Sequence, residues 1–188
     1  MILLGLAKLA GGNAKGLDEF SSKPEGFTAS LAPLIAIPLV QALVEVVHGD
    51  WKMSLLGFFI NLCGVLMLPV VTYEFSRIFG RKDYWLRTVT ALNWCAWLCL
   101  PAIFLASVLG DVIVQSGLSM ARVELIMVGG VTFYLIWNRW FVLKFGLKIK
   151  GWQALLVLFA SLVATLAPLL LLLLLDAPLL GVASTLLP

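Results

Sequence analysis

Amide side chains inside long apolar stretches are the first residues of this sequence that could do chemistry, because polar groups are costly in hydrocarbon. Asn61 lies near the middle of one such stretch, with Gly57 four residues before it and Gly64 three residues after it. This spacing places all three on one helix face, where glycines permit close approach and the amide can bond across a helix contact. We interpret this face as a helix-packing site, with a substrate site as the alternative. Asn93, in the next apolar stretch, receives the same interpretation.

Charged side chains at the ends of these stretches form a second candidate. Glu74 precedes Arg77 by three residues, and Arg139 ends a later apolar stretch. A Glu74–Arg77 or a Glu74–Arg139 ion pair would satisfy both charges at a low-dielectric boundary. Two alternatives stay open: the arginines can instead extend to lipid headgroups, or the charged group can act as a functional relay.

Two turns between apolar stretches combine cations with aromatic rings. The lipid- or partner-binding candidates in these turns are Arg77, Arg81, Lys82, Tyr84, Trp85, Lys148, Lys150 and Trp152. Cations near a membrane surface attract anionic headgroups by about 1 kcal/mol each. The turns therefore predict contact with anionic lipid or with a partner protein. The alternative is that the cations only orient the chain in the membrane.

The sequence lacks the residue patterns of common enzymes and metal sites. It has one histidine, and it contains no phosphate-binding glycine loop, no zinc-binding histidine pair and no nucleophile elbow. Cys95 and Cys99 have helical spacing, but no histidine or carboxylate joins them at a similar depth, so we interpret them and Cys63 as packing residues. We predict no metal, no cofactor and no catalysis. A net charge of +3 on so apolar a chain indicates no nucleic-acid partner.

Membrane-spanning helices must position these residues. Of the 188 residues, 62% are hydrophobic and 12% are charged, which is about half the charged fraction of a soluble domain. A span needs about 20 mostly apolar residues. Five windows qualify, at 27–47, 53–75, 89–109, 123–141 and 152–175. Long unbroken apolar runs indicate helices rather than barrel strands, so we predict an all-α polytopic membrane protein with a bundle of five transmembrane helices.

The two ends of the chain are predicted to lie outside this bundle. Segment 1–26 places Leu6 and Leu9 on one side of a helix that also carries Lys8. This pattern predicts an amphipathic helix that lies in the membrane interface, with its lysines at the headgroups. Segment 176–188 is predicted to be a short extracytoplasmic tail.

The cations also predict the orientation of the bundle, because cytoplasmic segments carry an excess of lysine and arginine. Of the 13 cations, those on one side of the five spans are Lys8, Lys15, Lys23, Arg77, Arg81, Lys82, Arg87, Arg139, Lys144, Lys148 and Lys150. Only Lys52 and Arg122 fall on the other side. We predict a cytoplasmic N-terminus and an extracytoplasmic C-terminus.

Four segments resemble the bacterial branch of the Yip family, small five-span membrane proteins related to eukaryotic Ypt/Rab-interacting proteins. They are GLDEF at 16–20, PEGF at 24–27, FGRKDYW at 79–85 before a span that contains Pro101, and FGLKIKGWQA at 145–154. The resemblance covers about 16–175, and it implies an integral protein of the cell inner membrane with a trafficking or scaffolding role. The Asp-Leu-Tyr-Gly-Pro motif of the eukaryotic relatives is absent, so a GTPase-binding role does not follow.

Three functional hypotheses follow from these features. The first is a membrane organiser or scaffold of Yip type, whose cytoplasmic turns contact anionic headgroups, a membrane-protein partner or a second copy of the chain. The second is a small transporter or lipid-moving protein that uses helices bent by proline. The third is an accessory subunit of a larger membrane complex. A polar mid-membrane cavity that reaches Asn61 would favour the second hypothesis over the first.

Overall fold

The structure is a computed structural model that describes residues 2–47, 51–115 and 118–186. Seven α-helices occupy this part of the chain: α1 (Ile2–Ala10), α2 (Pro24–Val47), α3 (Trp51–Ile78), α4 (Trp85–Cys95), α5 (Cys99–Gln115), α6 (Met120–Gly146) and α7 (Gly151–Leu186). Short 3-10 segments lie at Ala14–Glu19, Lys82–Tyr84 and Ala96–Leu98. No strand occurs within the described residues, and the predicted all-α class is confirmed.

Five helical stretches are long and apolar enough to cross a membrane. They are Pro24–Val44, Ser54–Ile78, Lys82–Gln115, Met120–Gly146 and Gly151–Pro168. Each overlaps one predicted window, so the five-span bundle is confirmed and the chain is a multi-pass membrane protein. The helices run a few residues beyond most windows, because ending the helix at the hydrocarbon edge would leave backbone groups unpaired. The last helix continues to Leu186, through most of the segment predicted to be a tail.

The third span consists of two helices. The 3-10 segment Ala96–Leu98 separates α4 from α5, and Pro101 lies just beyond it. Proline lacks the N–H that would bond the carbonyl four residues earlier, and its ring crowds that carbonyl. The carbonyl affected here belongs to Trp97, and just before it the Cys99 N–H bonds the Ala96 carbonyl in the tighter 3-10 turn. The break therefore places Trp97 at a bend inside the membrane-spanning region.

Residues 2–20 fold back against one end of the bundle. Leu6, Leu9, Leu17 and Phe20 are buried there against α4 and α6. Helix α1 and the following 3-10 segment approach closely because both carry glycine at the contact, and a Cβ added to Gly16 would lie 2.7 Å from the Gly5 carbonyl oxygen. A helix is therefore present at α1, and Leu6 and Leu9 on its apolar face pack on the bundle; its position in the membrane interface stays a prediction.

The buried core lies at this same end, which we call the cation-rich end because the basic turns Lys82–Tyr84 and 147–150 also lie there. Its buried members are Leu6, Leu9, Leu17, Phe20, Ala91, Leu92, Cys95, Phe141, Val142, Leu143, Leu147, Ile149, Ala154, Val157 and Leu158. Side chains elsewhere on the spans are mostly exposed in the isolated chain, as expected for surfaces that face lipid.

The spans pack unevenly beyond this core. Helix α3 contacts α2 and α7, α4 contacts α2 and α6, and α6 also contacts α5 and α7. Helix α5 packs mainly on α6, and most of its apolar side chains are exposed. This arrangement leaves space between α2, α3, α4, α6 and α7, where the candidate functional site lies.

Candidate functional site

A cavity of about 390 Å³, which we call the central cavity, lies between the helices at mid-span. It is lined by Leu34, Ile60, Asn61, Gly64, Val65, Leu68, Leu92, Asn93, Ala96, Arg139, Ser161, Leu162, Thr165 and Leu166. Five of these residues are polar or charged, and they come from α3, α4, α6 and α7. Because polar side chains are rare in membrane spans, their convergence marks this cavity as the candidate site.

A second cavity of about 440 Å³, which we call the apolar cavity, adjoins the first. Its lining residues are Leu34, Ile37, Pro38, Cys95, Ala96, Trp97, Cys99, Leu100, Leu135, Asn138 and Arg139. The two cavities share Leu34, Ala96 and Arg139. Arg139 therefore stands at the junction between a polar and a largely apolar space.

Arg139 has no ion-pair partner in the described part of the chain. It lies seven residues before the end of α6 at Gly146, which is about 10 Å along the helix axis. Glu74, one predicted partner, is bonded to Arg77 instead, with 2.7 Å between Oε2 and Nη2. No acidic residue lines either cavity. Arg139 thus lines the two cavities without a carboxylate partner among the described residues.

Hydroxyl groups on α7 form the wall of the central cavity that faces α3. Ser161 Oγ donates to the Leu158 carbonyl at 2.7 Å, and Thr165 Oγ1 donates to the Ser161 carbonyl at 2.8 Å. Both bonds are local to the helix, so each hydroxyl oxygen keeps its lone pairs for another donor. Thr165 is exposed, so its hydroxyl oxygen can accept a bond from a ligand or water, whereas Ser161 is buried.

The residues of the predicted packing face on α3 make different kinds of contact in the structure. Asn61 Nδ2 donates to the Gly57 carbonyl of its own helix at 3.0 Å, rather than across a helix contact. A Cβ added to Gly64 would lie 3.4 Å from Thr165 Cγ2 on α7, whereas one added to Gly57 would meet nothing within 4 Å. Gly64 therefore lies at the helix contact, and the exposed amide of Asn61 faces the central cavity.

Asn93 makes the bond between helices that its position suggested. The side chain is buried, with 2% of its surface exposed. Its Nδ2 donates to Ser30 Oγ at 3.0 Å, and Ser30 Oγ donates to the Phe27 carbonyl at 2.6 Å. This chain of bonds fixes α4 against α2 and holds the cavity wall between them.

Trp97 carries a buried donor that has no described acceptor. Its Nε1 atom is buried and meets no acceptor among the described residues. The residue lies in the 3-10 segment between α4 and α5 and lines the apolar cavity. Because buried N–H groups are nearly always paired in folded proteins, an orphaned one next to a cavity indicates a missing acceptor.

Residues on one face of α6 fasten α1 to the bundle, and sequence reasoning missed them. Asn138 Nδ2 donates to the Leu9 carbonyl at 3.2 Å, and Tyr134 Oη donates to the Ala10 carbonyl at 3.2 Å. Both carbonyls lie at the end of α1, and the Leu9 carbonyl also accepts a bond from the Gly12 N–H at 3.0 Å. The spacing of Tyr134, Trp137 and Asn138 on one helix face was the signal available in the sequence.

The basic turns meet at the cation-rich end. Lys148 Nζ lies 4.5 Å from the centre of the Tyr84 ring and 3.5 Å from its hydroxyl, which joins the two predicted turns. Arg81, Lys82, Lys150 and Trp152 are exposed. These contacts leave an exposed cationic surface with an aromatic centre.

Trp85 and Arg77 were also predicted to bind lipid or a partner, but both make contacts within the protein. The indole Nε1 of Trp85 donates to the Pro69 carbonyl at 3.1 Å, and its ring packs 5.1 Å from Tyr73. Trp85 is therefore a packing residue between α3 and α4. Arg77 is held by Glu74, as described above.

Two ion pairs hold residues 2–20 at the same end. Lys8 Nζ lies 2.6 Å from Glu19 Oε1, and Arg87 Nη1 lies 3.2 Å from Asp18 Oδ1. The hydrogen bond from Lys8 is the main cause that lowers the pKa of Glu19 to about 2. Glu19 therefore stays ionised across the physiological pH range.

Neither a metal site nor a related protein assigns a function to this chain. Among the described residues, no group of three or more histidine, cysteine, aspartate or glutamate side chains could hold a metal ion. No family model, no curated protein and no solved structure matches the chain. The resemblance to the Yip family therefore stays a prediction.

Proposed function

We propose that this protein is a small, noncatalytic lipid-moving protein that passes an amphiphilic molecule through the bundle. The observation that supports this function best is the central cavity, which contains Asn61, Asn93 and Arg139 in the membrane-spanning region. A scaffold needs no polar space inside the bilayer, and charged groups there are costly unless they serve a polar ligand or pathway.

The two adjoining cavities match the two parts of an amphiphile. Polar groups on four helices surround the central cavity, whereas the apolar cavity is walled mainly by aliphatic side chains, two cysteines and Trp97. Ligand sites typically combine mostly apolar walls with a few placed polar groups in volumes of about 300–1,000 Å³. A headgroup in the first cavity and a hydrocarbon part in the second would satisfy both linings.

A loosely packed helix supports lateral entry from the bilayer. Helix α5 packs mainly on α6, and grooves of about 570 and 590 Å³ lie along this helix pair. Gly129 and Gly130 on α6 are exposed, and a Cβ added to either would meet nothing within 4 Å. Lipid chains can therefore reach the helix pair from the side without displacing packed side chains.

We propose that the protein lies in a cell inner membrane, with the cation-rich end on the cytoplasmic side. Its support is the distribution of lysine and arginine, of which ten of 13 lie at or near that end, besides Arg139 inside its span. In this orientation the exposed cations meet the anionic leaflet surface, where each contributes about 1 kcal/mol of attraction.

Lipid movement in proteoliposomes tests the proposed function. The purified protein is reconstituted into vesicles with a trace of fluorescent phospholipid, and a membrane-impermeant reductant then bleaches the outer leaflet. We expect bleaching to proceed beyond half of the label as inner-leaflet lipid moves outwards. Bleaching that stops at the level of protein-free vesicles, with folded protein in every vesicle, would contradict the proposal.

A second candidate function, a Yip-type membrane organiser, is supported by the contact between Lys148 and Tyr84. It unites two turns into one exposed basic-aromatic surface that an anionic membrane, a membrane-protein partner or a second copy of the chain could contact. Neutral-lipid proteoliposomes that contain the protein should then aggregate anionic vesicles. The triple variant Arg81→Gln, Lys82→Gln and Lys150→Gln should abolish this aggregation. Arg122→Gln is the matched control, because Arg122 lies near the start of α6, away from the cation-rich end.

A further inference from the structure

Arg139 is exposed in the isolated chain, lies inside a membrane span and has no ion-pair partner among the described residues. No described carboxylate lies within ion-pair distance, and the two cavities it lines contain no acidic side chain. An unpaired cation in a low-dielectric region is strongly destabilising, whereas the same cation with a bound oxyanion gains charge-assisted hydrogen bonds. The planar fork of arginine suits an oxyanion with two acceptor oxygens on one side.

Trp97 carries a second donor, on a different element that lines the same cavity as Arg139. Its buried Nε1–H has no described acceptor, and Trp97 and Arg139 line the apolar cavity together. One donor comes from the bend between α4 and α5, and the other from α6. An oxyanion is the class of ligand that could accept hydrogen bonds from both groups, because a hydrocarbon ligand accepts none.

We infer that Arg139 and Trp97 bind the oxyanion headgroup of an anionic lipid, whose hydrocarbon part occupies the apolar cavity. This inference rests on the proposed function, because it names the class of molecule that the cavities hold. A soluble phosphate would leave the apolar cavity beside it unfilled. A zwitterionic headgroup would bring a cation as well, and the described cavity walls offer no carboxylate to receive it.

Lipid retention by the purified protein tests this inference. The delipidated protein in mild detergent is titrated with phosphatidylglycerol or with phosphatidylcholine, and native mass spectrometry counts the lipids retained per chain. We expect phosphatidylglycerol to be retained at concentrations about tenfold lower than phosphatidylcholine, since one charge-assisted contact is worth about that factor. Equal retention of the two lipids would overturn the inference.

Three variants locate the binding site. Arg139→Gln should reduce phosphatidylglycerol retention about tenfold, and Trp97→Phe should reduce it several-fold because it keeps the ring but removes the donor. Arg122→Gln, on the exposed start of α6, should retain the lipid like the unmodified protein. Melting by circular dichroism checks that each variant is folded. If Arg139→Gln does not fold, Trp97→Phe decides, and unchanged retention in that variant would overturn the site.

Two further arms separate lipid binding at Arg139 from the binding of a free anion and from lipid movement. Inorganic phosphate at millimolar concentration should not displace phosphatidylglycerol, and complete displacement would show an anion site without a lipid requirement and overturn the lipid assignment. The bleaching experiment is independent of lipid retention. Arg139-dependent retention without lipid movement would contradict the proposed function and leave the binding site standing, whereas movement with unchanged retention in Arg139→Gln would contradict the site alone.

Discussion

Asn138 on α6 donates a hydrogen bond from Nδ2 to the carbonyl oxygen of Leu9 at the end of α1, over 3.2 Å. Asn138 also lines the apolar cavity next to Arg139. One buried amide thus holds the N-terminal segment and forms part of the wall of the candidate site. The docking of residues 2–20 and the shape of the cavity are therefore physically linked.

Replacement of this amide should loosen the N-terminal segment. Asn138→Ala removes the side-chain donor to the Leu9 carbonyl, which keeps its bond from the Gly12 N–H, and we expect a loss of about 0.5–1.5 kcal/mol in the free energy of unfolding. Amide hydrogen exchange of α1 should accelerate accordingly. The matched control is Asn61→Ala, which removes an exposed amide bonded to its own helix. Equal exchange of α1 in both variants would contradict the role assigned to Asn138.

The contact between α1 and the 3-10 segment should not tolerate a methyl group. A Cβ at Gly5 would lie 2.8 Å from Phe20 Cε2 and 2.9 Å from Glu19 Cβ. We expect Gly5→Ala to destabilise the protein by about 1–3 kcal/mol through overpacking. Gly57→Ala on α3 meets open space and should stabilise its helix by about 0.5–1 kcal/mol. Thermal unfolding in detergent measures both, and a melting temperature that rises in both variants would argue against close packing at Gly5.

Acid should release the same segment. Because the pKa of Glu19 is lowered from 4.5 to about 2 in the folded protein, mainly by its bond to Lys8, ionised Glu19 favours the docked state above pH 4.5. That contribution falls as the pH drops from 4.5 towards 2. Hydrogen exchange of α1, corrected for intrinsic rates, should therefore rise over this interval. Glu19→Gln should lack this component, and an identical pH profile in that variant would exclude the ion pair as its cause.

The orientation of the bundle can be read from single cysteines at its two ends. In a variant without the native cysteines, Arg81→Cys should react with a membrane-impermeant maleimide only from the cytoplasmic side. Ser119→Cys, at the start of α6, should react only from the opposite side. Both residues are exposed, so accessibility rather than burial decides the result. The reverse pattern would contradict the cytoplasmic placement of the cation-rich end.

Apolar length and charge placement were enough to predict the five spans, because lipid requires long helices with satisfied backbone groups. The division of the third span was not predicted, although Pro101 lies in the sequence. Four other described spanning positions carry proline without a 3-10 break, at 33, 38, 69 and 168. Whether a proline bends or interrupts a helix depends on neighbouring side chains and tertiary packing, which a single sequence does not reveal.

Most polar residues of the candidate site were identified from the sequence, but only some of their hydrogen-bond and ion-pair partners were. The sequence offered Arg77 and Arg139 as ion-pair partners of Glu74, and the structure pairs Glu74 with Arg77. Asn61 was expected to bond across helices and instead bonds to Gly57. Asn138 passed unnoticed because its partner is a backbone carbonyl in a segment 129 residues away. Such partners follow from helix arrangement, which hydrophobic periodicity does not specify.

The central cavity carries the proposed function, and the accessibility of position 61 tests it most directly. In a variant with Cys63, Cys95 and Cys99 changed to alanine, Asn61→Cys is treated in neutral proteoliposomes with a small membrane-impermeant thiol reagent. Phe59→Cys, whose native side chain is 53% exposed on the same helix and does not line the cavity, is the control.

A hydrated polar cavity predicts that position 61 reacts at least about tenfold faster than position 59, because thiolates form only where water and polar groups stabilise them. Phosphatidylglycerol in the vesicles should slow the reaction at position 61 and leave position 59 unchanged. Equal, negligible reactivity at both positions would show that no polar space reaches Asn61, and it would contradict the proposed lipid-moving function.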